Sequence, residues 1–187
     1  RMAAMAALRG GAGLVTVFSP AGAILVNAAH LTAVMLQRCE DEAELRAHLE
    51  DERLNAFMLG PGFGATDLAR TYAKTLLAAG RRLVLDADAI TAFQDEPEAL
   101  FAAASEAAAT RPDKQPALVL TPHAGEFKRL FPDIAVAEDL SKIDRARRAA
   151  ARAGAVLVLK GRDTVIAAPD GRAAINATGT PWLATAG

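Results

Sequence analysis

Short apolar runs alternate with amphipathic stretches along most of the chain, and this alternation predicts a β/α succession. Residues 14–18 (LVTVF) are β-branched and apolar on both faces, the pattern of a strand covered by helices on both sides of a parallel sheet. Residues 33–36 (AVML), 56–59 (AFML), 82–85 (RLVL) and 117–120 (ALVL) read as further strands. Between them, helices are predicted over 2–9, stopped by Gly10 and Gly11, from about Pro20, over the acidic 41–49, and over 66–79 with Gly80 past the end. Further helices are predicted over 89–93, the Ala-rich 97–109, 123–130 with Pro122 at the first turn, and the basic 141–153. TRPDKQP at 110–116 is a polar loop.

The pattern changes after Gly154. Strands at 156–160 and 164–168 are separated by three residues, and Pro169, Asp170 and Gly171 make a turn before a strand at 173–176, which predicts antiparallel pairing. With no internal repeat and no linker, the expectation is one α/β domain: a mostly parallel sheet flanked by helices, with an antiparallel edge hairpin.

Composition narrows the class. The 187 residues are 52% hydrophobic and 23% charged, which suits a folded domain able to bury a core. Lys and Arg number 21 against 22 Asp and Glu, and a net charge of -1 favours neither nucleic acid nor an anionic membrane as partner. Cys39 stands alone, so an internal disulfide and a Cys-based zinc site are excluded and a reducing cytoplasm is expected. From Gly10 to Gln37 there is no charge, but Gly13, Ser19, Pro20, Gly22, Asn27 and His30 interrupt the stretch. It falls short of the roughly 18 consecutive apolar residues of a membrane span. The start lacks the pattern of a signal peptide and reads as the middle of a longer chain.

In an open α/β sheet, ligands meet the chain where strands end and helices begin, and four such junctions stand out. At 60–64 (GPGFG), glycines permit close backbone approach and the next helix offers free amides; the segment matches neither GxGxxG nor the P-loop, and an ordinary tight turn fits it equally. Asp86 and Asp88 follow a strand directly, placed to hold a hydrated magnesium ion or a hydroxyl, or, for Asp88, to cap a helix. Thr121, Pro122, His123, Gly125 and Glu126 form the third junction, and His123 is better placed than His30 or His48 to donate to a carbonyl or phosphate. The hairpin with Lys160, Gly161 and Thr164, followed by Asn176, Thr178, Gly179 and Pro181, suits a flap over a nucleotide or a plain two-strand turn. Arg145, Arg147, Arg148 and Arg152 on the basic helix read as a solvated face.

Taken in order, GPGFG at 60, LDADAI at 85, LTPHAGEFKRL at 120, LKGRDT at 159 and NATGTPWLATAG at 176 resemble the ADP- or ATP-dependent NAD(P)H-hydrate dehydratase family of the ribokinase-like superfamily, and MAALRGGAGLV at the start extends the likeness over the chain. The resemblance implies a ribokinase-like three-layer sandwich and repair of the (6S)-hydrate of NADH or NADPH, with ADP giving AMP and phosphate and with magnesium as cofactor. It implies hydrate contacts at Gly62, Gly64 and His123, with Asp86 and Asp88 near the reacting groups. Nucleotide contacts are implied at Lys160, Gly161, Arg162, Asp163 and Thr164, and magnesium organisation at Glu126 and Asn176. Similarity to bacterial members favours ADP, and relatives imply a cytoplasmic homotetramer. In relatives a GSGD-like segment carries the catalytic aspartate, so that base is expected beyond Gly187, and the domain is expected to be incomplete at both ends. A vitamin-precursor type kinase of the same superfamily and a binding-only remnant are the competing expectations.

Overall fold

The computed structural model describes residues 1–179; Pro181 and the ATAG segment lie outside the described residues. The chain forms two compact units, Arg1–Asp51 and a larger one from Glu52 onward.

The first unit runs α1 (Met2–Arg9), β1 (Thr16–Ser19), α2 (Ala21–His30), β2 (Met35–Arg38) and α3 (Glu42–His48). The two strands pair in parallel from Thr16 opposite Met35 to Ser19 opposite Arg38. Both begin two residues later than the apolar runs predict. Pairing sets these limits: the Met35 amide donates to Val15 and the Cys39 amide to Ser19, which draws polar Gln37 and Arg38 into the ladder while Leu14 stays 73% exposed. His48 stacks on Phe18 at 4.5 Å and bonds the Arg38 carbonyl, while His30 ends α2.

The second unit begins with β3 (Ala56–Leu59), α4 (Asp67–Ala78), β4 (Arg82–Leu85), α5 (Ala87–Thr91), α6 (Pro97–Thr110) and β5 (Leu118–Leu120). It continues through α7 (Ala124–Leu130), α8 (Pro132–Ala135), α9 (Lys142–Ala153), β6 (Val156–Leu159), β7 (Thr164–Ala167) and β8 (Ala173–Asn176). The six strands lie in sequence order, parallel from β3 to β6, with β7 and β8 turning antiparallel at one edge. Leu83, Leu85, Leu118, Leu120 and Leu157 are sealed beneath the helices. On α9, Ala146, Ala149, Ala150 and Ala153 form the apolar stripe at helical spacing, and small side chains there let the helix approach α6, β6 and β7 closely. Phe131 stacks on Phe101 and packs at a tilt against Phe127, with ring centroids 5.2 Å apart in each pair.

Two local expectations are corrected. Helix α5 starts at Ala87 rather than Ala89, because Asp86 is its cap. Pro122 precedes the first turn of α7, because His123 takes the capping position. The arginines of α9 lie at the surface as expected, with Arg147, Arg148 and Arg152 exposed, and they bond there: Arg145 donates to Ala137 O, Arg147 to Gly171 O, and Arg152 bridges Glu98 and Asp133. Helix α8, a single turn opened by Pro132, is too short to carry a periodicity. No helix of the described residues is long and apolar enough to cross a membrane.

Leu120 sits fully buried on β5, between β4 and β6. Leu120→Ala is expected to cost about 2–5 kcal/mol of unfolding free energy, read by urea titration.

Candidate active site at the carboxyl edge of the sheet

The parallel ladder continues past the ends of the strands. The Asp86 amide donates to Leu59 O, the Thr121 amide to Leu85 O and the Lys160 amide to Pro122 O. These bonds set the four strand-end junctions side by side along one edge. Strand β7 starts at that edge and β8 finishes there, so Thr164 and Asn176 are register partners. All the junctions read from the sequence therefore meet in one region of the second unit, where an open α/β sheet takes its ligands.

The first two junctions are pressed together. Gly60 has φ +139°, and a Cβ added there would lie 1.7 Å from the Asp86 carbonyl oxygen, so only glycine fits. Phe63 packs edge-on against buried Tyr72 of α4, anchoring the loop. The Gly64 amide donates to Asp88 Oδ2 at 2.9 Å. Between the two aspartates Ala87 adopts φ +48°, a left-handed conformation unfavourable for a residue with a Cβ.

Asp86 Oδ1 accepts from the Lys160 ammonium at 2.7 Å and from the Thr121 hydroxyl at 2.8 Å. Burial pushes this carboxyl up, but the bonds from Lys160 and Thr121, the lysine charge and the Ala87 amide outweigh burial and hold it below its ordinary value. Lys160 also stands 3.9 Å from Glu126 Oε2, so one ammonium is shared by two carboxylates.

Glu126 is buried, with a side chain only 6% exposed. Its Oε2 accepts from the His123 amide at 2.8 Å, while His123 Nδ1 accepts from the amides of Gly125 (2.9 Å) and Glu126 (3.4 Å), closing a capping box. Accepting at Nδ1 places the neutral ring's proton on Nε2, 3.4 Å from Glu126 Oε1. Gly125 makes this possible: a Cβ there would meet the imidazole Cε1 at 2.8 Å.

In the hairpin, Gly161, Arg162 and Asp163 are exposed, and Lys142 at the start of α9 binds Asp163 through both its carboxylate and its carbonyl. Lys142 lies 21 residues from Asp163 with no spacing signal to announce it, and sequence reasoning missed it. Thr121 was visible in its junction, but only the structure shows its hydroxyl on Asp86.

Glu126 lies in α7, which follows β5, and Asn176 ends β8, with β6 and β7 between those two strands. Glu126 already serves His123 and Lys160, and Asn176 Oδ1 accepts from the amide and hydroxyl of Thr178. Among the described residues no group of three or more His, Cys, Asp or Glu side chains could hold a metal ion.

A mostly parallel sheet with its polar side chains gathered at the carboxyl edge, beside an antiparallel hairpin, defines a ribokinase-like α/β protein. A ribokinase-like superfamily protein from Enterococcus faecalis superposes with a TM-score of 0.73 at 25% identity, covering 99% of this chain and 60% of that one. The chain belongs to the NAD(P)H-hydrate dehydratase family, whose sequence model matches residues 1–187. It is 38% identical over 191 residues to the bifunctional NAD(P)H-hydrate repair enzyme Nnr of Gloeobacter violaceus, covering 100% of this chain and 34% of that protein. The ADP/ATP-dependent NAD(P)H-hydrate dehydratase of Bacillus subtilis, co-crystallised with ATP and Mg2+, superposes with a TM-score of 0.70 at 27% identity, covering 98% of this chain and 60% of that one. The chain thus spans about a third of the length of the curated relatives it matches.

Because folding depresses the Asp86 carboxyl, the stability it contributes is present above the unfolded value near 3.8 and is lost as pH falls through the lower folded value. Urea unfolding should therefore show Asp86→Asn less stable than wild type at neutral pH, with the gap closing below about pH 4.

Proposed function

We propose that residues 1–187 belong to one dehydratase domain that returns the (6S)-hydrate of NADH or NADPH to the dihydronicotinamide, using ADP or ATP as phosphoryl donor. The observation that carries this reading is the Asp86–Lys160 bond of 2.7 Å, which joins the LDADAI strand end to the LKGRDT hairpin beside His123. Two motifs 74 residues apart meet where a nucleotide phosphate and a second substrate would have to meet.

In this reading Gly62, Gly64 and His123 contact the hydrate, the two glycines by close backbone approach and His123 through its Nε2–H. Lys160, Gly161, Arg162, Asp163 and Thr164 contact the nucleotide, with the Lys160 ammonium beside the transferred phosphate. The ring hydroxyl attacks the terminal phosphorus of ADP and AMP leaves. The ring nitrogen lone pair then expels phosphate, and loss of a neighbouring ring proton restores the double bond. Phosphorylation converts hydroxide, a poor leaving group, into phosphate, a good one, so the protein's work is positioning and charge neutralisation. The base that takes the hydroxyl proton is assigned to the aspartate that relatives carry after the ATAG segment. Mg2+, present with ATP in the Bacillus subtilis crystals, is proposed to accompany the nucleotide, with Glu126 and Asn176 helping to organise it and the phosphate. The reading also makes the protein a cytoplasmic homo-oligomer, with tetramers expected.

The intact protein, given (6S)-NADH hydrate and magnesium ADP, should restore dihydronicotinamide absorbance with one AMP and one phosphate per turnover. A stable phosphorylated product would instead make it a kinase, and nucleotide binding without product would make it a binding protein. Lys160→Met should raise the nucleotide KM by about ten-fold and lower kcat by about a hundred-fold, since the ammonium acts on charge that develops in transfer.

A further inference from the structure

Both strand-end aspartates already serve protein donors. Asp86 Oδ1 carries the Lys160 ammonium and the Thr121 hydroxyl, and Asp88 Oδ2 carries the Gly64 amide. Gly64 belongs to the loop after β3, Thr121 to the loop after β5, and Lys160 to the hairpin after β6. One turn after β4 therefore ties together the connections of all four parallel strands.

The backbone is built for this double attachment. Ala87, at φ +48°, stands between the carboxylates, one bound on the β5–β6 side of β4 and the other on the β3 side. A left-handed alanine persists only where its surroundings over-determine it. Gly60 supplies the matching constraint, since its backbone lies so close to the Asp86 carbonyl that no side chain fits between them.

We infer that Asp86 and Asp88 are positioning residues with separate charges: Asp86 sets the Lys160 ammonium for the nucleotide, and Asp88 sets the Gly64 backbone for the hydrate. The inference rests on the dehydratase reading and assigns each carboxylate to a protein partner rather than to a bound ligand. The spacing between the two substrates is then held by the Asp86-Ala87-Asp88 turn.

The test measures both KM values, kcat and the melting temperature for variants of the intact protein. Asp88→Ala should raise the hydrate KM by about ten-fold and leave the nucleotide KM within about two-fold, while Asp88→Asn, whose carbonyl still accepts from Gly64, retains near wild-type values. Asp86→Ala should raise the nucleotide KM by about ten-fold, and should add nothing when introduced into Lys160→Met, because its effect travels through that lysine. If Asp88→Asn is as impaired as Asp88→Ala while wild type turns over normally, the Asp88 charge meets the ligand and the inference is overturned. Equal rises in both KM values that follow the melting temperature, or additive Asp86 and Lys160 effects, overturn it as well. A wild-type protein that neither binds ADP nor consumes the hydrate overturns the dehydratase reading and this inference with it.

Discussion

The Lys160 ammonium, held between Asp86 and Glu126, is the contact on which the edge of the sheet depends. Glu126 is nearly sealed from water, and a buried carboxylate is costly unless it is paired and hydrogen-bonded. The His123 amide and Lys160 supply that compensation, and Asp86 fixes where the lysine stands. Remove the lysine and two carboxylates face each other across the junctions with only neutral donors. The same cation therefore stabilises the protein's own negative groups and waits at the edge where an anionic ligand would arrive. Under the proposed reading the site needs positive charge to admit phosphate, and the fold needs that charge balanced when phosphate is absent.

Much of the fold was legible in the residues because it is written in local patterns. Strands β3, β4 and β8 begin and end where their apolar runs do, and the change to antiparallel pairing after Gly154 followed from two short links that leave no room for a crossover. The shifts in β1 and β2 have a different origin, since the partner strand decides which residues join a ladder and no single segment encodes its partner. The displaced start of α7 has a local cause instead. Histidine is an unusual helix cap, and its ring reaches the Gly125 and Glu126 amides only because Gly125 leaves space for it.

The site was legible as a set of places but not as a set of bonds. Gly60, Asp86, His123 and Lys160 mark strand ends, which a β/α succession exposes to inspection. The pairing of Asp86 with Lys160, the hold of Asp88 on Gly64 and the grip of Lys142 on Asp163 arise from neighbouring strands and helices far apart in sequence. Glu126 is such a case: in sequence it is an acidic residue at a strand-end junction, and in the structure its oxygens meet His123 and Lys160.

The cap on α7 has a consequence for what the site can recognise. With Nδ1 committed to backbone amides, the imidazole cannot exchange one tautomer for the other without unfastening the start of its helix. The exposed nitrogen is fixed as a giver of hydrogen bonds, and a partner offering only another N–H finds nothing to accept it. Discrimination between acceptors and groups that can only donate is thus set at this position by main-chain bonds, and it lasts as long as residue 125 stays a glycine.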